Sequence, residues 1–196
     1  ARHATPARRD PTRAARARCG RAACANRHGR SRSGVPPATR ARRGGSGRSG
    51  AIALAVGFSI GSKGYLGTGN KNYHNKDFWE YDPVLNAWAQ KADFAGIPRL
   101  GAVGFSIDGK GYLGTGYSFD GTNHYYKDFW EYDPDANIWT QKADFEGTAR
   151  LDAVGFSIGS KGYIGTGWDD SYMQKKDFWE YDPAANTWKR KADFGG

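Results

Sequence analysis

The chain has 196 residues and a formal net charge of +9, but the charge is unevenly placed. Residues 1–50 carry 14 Arg, no Lys and one acid, for +13, whereas residues 51–196 carry 15 basic against 19 acidic side chains, for −4. No run of 18 apolar residues occurs, which excludes a membrane-spanning helix, and both cysteines, Cys19 and Cys24, fall in the basic segment.

Residues 1–50 are mostly Arg, Ala, Gly, Ser and Pro, with no aromatic residue and Val35 as the only large aliphatic side chain. Such a segment buries too little apolar surface to offset the entropy of ordering its backbone, so it reads as a disordered tail. Dense Arg attracts anions, yet an Arg count alone carries little specificity, and nucleic acid is not the expected partner. Cys19 and Cys24 supply too few ligands for a structural zinc site, and no metal or other cofactor is expected. The apolar stretch that begins at Ala51 imitates a signal-peptide core. Its second half, however, aligns residue for residue with 102–107 and 153–158, so it reads as a strand.

From there to residue 196 the chain repeats. Asp-Phe-Trp-Glu-Tyr-Asp-Pro begins at Asp77, Asp128 and Asp177, and Trp79, Trp130 and Trp179 are 51 and 49 residues apart. Trp88, Trp139 and Trp188 keep the same spacing. A period near fifty with four short β-like segments marks a unit that cannot bury its own faces and must stack on its neighbours. The units span 51–98, 99–149 and 150–196.

Within the second unit the strands are predicted at 102–107, 111–116, 127–132 and 138–142. The first alternates Val103, Phe105 and Ile107 with Ala102, Gly104 and Ser106, a bulky face backed by a shallow one. The third sets Trp130 and Tyr132 against Phe129 and Glu131, so both faces carry aromatic rings and both are expected to be covered. Gly61, Gly109 and Gly159 suit a tight first hairpin. Asp82, Asp133 and Asp182, each followed by Pro and four residues later by Asn, suit the last one, with the Asp carboxylate accepting turn N–H groups. Asp77, Glu80 and their copies recur in every unit, which argues for structural rather than catalytic acids.

These residues resemble the kelch repeat. Tyr65, Tyr112 and Tyr163 match its second strand, and Tyr81-Asp82 to Trp88, Tyr132-Asp133 to Trp139 and Tyr181-Asp182 to Trp188 match the turn that follows. Gly-Thr-Gly stands where the family usually has adjacent glycines. The resemblance covers residues 54–194 and implies an all-β fold: a partial kelch-type β-propeller of three four-stranded antiparallel blades, like part of the central domain of galactose oxidase. Three blades are fewer than a closed ring holds, so further blades or a second copy are expected to complete it. An end blade left open would present Val, Phe and Ile side chains.

The units differ most between their second and third strands, at 70–76, 117–127 and 168–176. These loops carry Tyr73 and His74; Tyr117, Phe119, Asp120, His124, Tyr125 and Tyr126; and Trp168, Asp169, Asp170 and Tyr172. Aromatic faces beside acids and amides suit a sugar ring or a protein surface; alternatively the rings fold back over the sheet edge. No acid at a fixed spacing orients His74 or His124, and Asp169 with Asp170 make a weak calcium signal. The expected function is therefore a non-enzymatic scaffold that binds a protein or glycan. The alternative is a piece of an enzyme resembling galactose oxidase or a sialic acid epimerase, whose catalytic residues lie outside this chain. The resemblance is compatible with an extracellular or cell-surface location.

Overall fold

A computed structural model of the chain describes residues 53–70 and 74–196. The basic tail, Cys19, Cys24 and Tyr73 lie outside the described residues. Everything described is strand, turn or loop, and among the described residues no helix is long and apolar enough to cross a membrane.

The first unit forms β1 (Val56–Ile60), β2 (Lys63–Gly67), β3 (Phe78–Asp82) and β4 (Ala87–Gln90). The second forms β5 (Val103–Ile107), β6 (Lys110–Gly114), β7 (Tyr117–Phe119), β8 (Asn123–Tyr125), β9 (Phe129–Asp133) and β10 (Ile138–Lys142). The third forms β11 (Arg150–Leu151), β12 (Val154–Ile158), β13 (Lys161–Gly165), β14 (Trp168–Asp169), β15 (Phe178–Asp182) and β16 (Thr187–Arg190). Three four-stranded antiparallel meanders result, β1-β2-β3-β4, β5-β6-β9-β10 and β12-β13-β15-β16. Their registers are equivalent: Phe58 opposes Tyr65, Phe105 opposes Tyr112 and Phe156 opposes Tyr163.

The predicted strands recur within one or two residues. The variable loops differ from expectation, because 117–125 closes into a ribbon of β7 and β8, and β14 pairs with β11. The physical reason is local: Asp120-Gly121 supplies a hairpin turn, with Gly121 at φ 109° and the Asp120 carboxylate accepting the Thr122 N–H.

The turn chemistry is equally regular. Asp82 accepts the N–H groups of Val84 and Leu85, and Asp133 and Asp182 repeat this. Asn86, Asn137 and Asn186 sit at φ 48°, 54° and 52°, the left-handed region that Asn tolerates. Each accepts a hydrogen bond from a tyrosine hydroxyl five residues earlier.

Two cores form, one at each place where two sheets meet. The first joins Val56, Ile60, Tyr65, Phe78 and Phe94 to Leu113, Tyr132 and Trp139. The second joins Val103, Phe105, Ile107, Tyr112, Phe129 and Phe145 to Ile164, Tyr181 and Trp188. The bulky face of one sheet enters the shallow face of the next. A Cβ added at Gly111 would lie 2.5 Å from the Phe58 ring, and one at Gly104 would lie 2.5 Å from Val56. Gly155 and Gly162 receive Val103 and Phe105 in the same way. Each buried ring removes a large apolar area from water and contributes roughly 1.5–3 kcal/mol. Phe78 meets Tyr132 and Trp139 edge-on at 4.9 and 5.0 Å, and Phe129 meets Tyr181 and Trp188 at 4.8 and 4.9 Å.

Polar clamps repeat beside each core. The Ala92 N–H donates to Asn137 Oδ1 at 2.9 Å, and the Ala92 carbonyl accepts Trp139 Nε1 at 3.1 Å. Ala143 makes the same pair of bonds with Asn186 and Trp188. The outer face of β12 is different: Val154, Phe156 and Ile158 are exposed, whereas their counterparts in β5 are buried.

Candidate functional site

The glutamates that recur in every unit are engaged by the framework. Tyr65 donates its hydroxyl proton to Glu80 at 2.6 Å, and Lys63 and Lys91 pair with the same carboxylate. Burial pushes the Glu80 carboxyl up, but the hydrogen bonds from Tyr65 and Lys63 outweigh it and hold it below its ordinary value. Glu131 with Tyr112 and Lys142, and Glu180 with Tyr163 and Lys191, repeat the arrangement.

Two arginines that the sequence reading passed over organise the variable loops. Arg99 and Arg150 are fully buried. Arg99 grips the Asp128 carboxylate through both terminal nitrogens, donates to the Thr115 carbonyl at 2.9 Å, and lies 4.2 Å over the Tyr126 ring. Arg150 grips Asp177 at 2.7 and 2.8 Å and donates to the Thr166 carbonyl. The threonine of each Gly-Thr-Gly stands at positive φ, 58°, 57° and 62°, and in the second and third units its carbonyl meets the guanidinium. The signal was present in the sequence as an Arg-Leu pair at the repeat spacing. Ile52 occupies the aligned position of the first unit. There Asp77 Oδ1 is buried without a hydrogen-bond partner among the described residues.

On this frame the first two variable loops converge. His74, Ile97, Pro98, Ser118, Phe119, Asp120, Gly121, His124 and Tyr126 line an open cleft of about 630 Å³, within the range of small-ligand sites. Its walls combine an apolar side from Ile97, Pro98 and Phe119 with imidazole, hydroxyl and carboxylate groups. His124 Nε2 lies 3.0 Å from Asp120 Oδ1, so an acid four residues away does orient this imidazole, contrary to the sequence expectation. The hydrogen bond from His124, with that of the Thr122 backbone, holds the Asp120 carboxyl below its ordinary value. Ser118 Oγ and Tyr126 Oη share a 2.6 Å hydrogen bond at the base.

The remaining candidates fall outside the cleft lining. The Tyr117 ring meets His74 and Tyr125 edge-on, and its hydroxyl donates to Asn123. Trp168 pairs with Leu151 and lines a second hollow of about 440 Å³ with Asp152, Gln174 and Phe194. Asp169 is buried, ion-paired with Lys175, and accepts the N–H groups of Ser171 and Met173. Its hydrogen bond from Lys175 is the main reason its carboxyl lies below the ordinary value. It therefore shapes its own loop and does not join Asp170 as a pair of open carboxylates. Tyr172 is exposed and reaches the second loop by accepting a 3.2 Å hydrogen bond from Asn123 Nδ2. Ile97 and Pro98 belong to the segment between β4 and β5, and sequence reasoning missed them because only folding brings that segment to the ribbon.

The sequence matches no family model and no curated protein. The fold is similar to the solved structure of YjhT, a β-propeller protein, with a TM-score of 0.64. Identity is 18%, and the match covers 74% of this chain and 52% of that one, so the chain spans about half the length of the structure it resembles. At that identity the likeness concerns the fold alone: an all-β assembly of four-stranded antiparallel sheets.

Proposed function

We propose that the three sheets are blades of a kelch-type β-propeller and that the chain is a non-enzymatic binding scaffold whose ligand is a glycan. The observation that carries this reading is the convergence of two variable loops into one cleft that joins the apolar Phe119 face to the His124–Asp120 pair. A sugar ring presents an apolar face and a hydroxyl rim, and such a wall meets both. The scaffold reading is further supported by the repeated glutamates Glu80, Glu131 and Glu180, each held by a tyrosine and a lysine of its own unit.

A protein partner is the second reading, favoured by the exposed Trp168, Tyr172 and Met173 on the third loop. Such side chains serve as anchors at interfaces. A glycan array probed with the full chain separates the two. The glycan reading expects hits that weaken at least tenfold in Phe119→Ala and His124→Ala, while Trp168→Ala leaves them intact. An array without hits, or hits indifferent to both cleft variants, refutes it.

A further inference from the structure

The two outermost sheet faces of the molecule are a matched pair. On the third sheet, Val154 (58% exposed), Phe156 (42%) and Ile158 (63%) form the bulky face that is buried at the second internal junction and, apart from a partly buried Phe58, at the first. Phe194 is 59% exposed, whereas its counterparts Phe94 and Phe145 are fully buried against the tryptophans of the following sheet. On the first sheet, Gly57 and Gly64 form the shallow face, and a Cβ at either would meet nothing closer than 3.6 Å. Beside them Trp88 is 53% exposed, against 8% and 5% for Trp139 and Trp188.

From these two faces we infer that the third sheet of one chain seats on the first sheet of a second copy, head to tail, and that two copies close on each other through two such contacts. The internal junctions state what each face accepts. Phe58 lies against Gly111, and Phe105 against Gly162. Phe156 and Gly64 are the same residue types at the same register positions, with no facing sheet among the described residues. The polar clamp carries over as well. Ala192 corresponds to Ala92 and Ala143, so its N–H and carbonyl meet Asn86 and Trp88 of the second copy.

Area favours a closed pair over an open contact. The half-exposed side chains at one junction bury on the order of 500 Å² of apolar surface. One junction is thus too small for a stable interface, and two together reach the roughly 1,000 Å² that a specific one needs. A contact between unlike faces closes into a ring or grows into a fibre, and it requires both faces in every chain.

The test is sedimentation equilibrium of the full chain at about 50 μM, with near-ultraviolet circular dichroism to confirm folding. The wild type is expected to be a dimer. Ile158→Glu on one face and Gly64→Phe on the other are each expected to give folded monomers. Val154→Glu and Trp88→Lys serve as second variants should either of the first pair fail to fold. A monomeric wild type overturns the inference, and an open series of polymers overturns the closed pair. A dimer that survives the folded Gly64 or Trp88 variant overturns it too, because two third sheets would then be meeting face to face.

Discussion

Replacing Arg150 by Met removes a guanidinium that is fully buried and bonded to both oxygens of Asp177, to the Thr148 and Thr166 carbonyls and to the Thr148 hydroxyl. Asp177 keeps its 2.7 Å bond from Trp179 Nε1, and its side chain is 18% exposed. Stranding one partner of a buried pair costs about 3–5 kcal/mol, and the partial exposure of the carboxylate places this case near the lower end. For a domain of this size a cost of about 3 kcal/mol lowers Tm by roughly 10 °C. Asp177→Asn in the Arg150→Met background removes the stranded charge and is expected to recover at least half of the loss. The pH dependence checks the cause. Burial pushes the Asp177 carboxyl up, but hydrogen bonds from Arg150 and Trp179 outweigh it and hold it below the ordinary 3.8. A depressed folded-state pKa gives stability that is present above the unfolded value and lost as pH falls through the folded one. In Arg150→Met the burial is unopposed by the arginine, so the variant loses less on acidification. Thermal melts followed by circular dichroism should show the gap between wild type and variant shrinking from pH 7 to about pH 3. A gap under about 1 kcal/mol at pH 7, or one that does not change with pH, would refute the reasoning.

Asp77 is the natural contrast, with Oδ1 buried and without a hydrogen-bond partner among the described residues, so Asp77→Asn should change Tm by no more than a degree or two where Asp177→Asn costs several. Gly111→Ala forces a methyl group against the Phe58 ring and is expected to cost about 1–3 kcal/mol in denaturant melts. Gly61→Ala also destabilises, but through its φ of 56° with open space around it, so Gly61→Asn should recover most of that loss and Gly111→Asn none. Burial pushes the Tyr132 hydroxyl up to about 12 and those of Tyr65, Tyr112 and Tyr181 up as well. Raised folded-state values mean stability that is complete below pH 10 and lost as pH rises toward the folded pKa. Ultraviolet titration should therefore show these tyrosines ionising together with unfolding.

The strands were legible because their signals are local. Alternation in 103–107 and the Asp-Pro turn ending at Asn137 need only a few neighbouring residues to act. The covered faces were legible too, because Phe129 and Trp130 point to opposite sides of one strand. Arg99 and Arg150 were not, since arginine is ordinarily a surface residue and only the fold brings Asp128 and Asp177 to it. The ribbon at 117–125 was written in Asp120-Gly121, a hairpin signal hidden among loop residues. The cleft was least legible, because His74 and His124 lie fifty residues apart and meet only when two sheets have stacked.

The Ala92 and Ala143 clamps use one alphabet: an asparagine, a tryptophan and a backbone amide at fixed positions. A gene coding for such units can gain or lose one by unequal recombination without the clamp being redesigned, because each unit carries its own asparagine and tryptophan at those positions. Length in this protein is therefore open to evolution as a simple count of units.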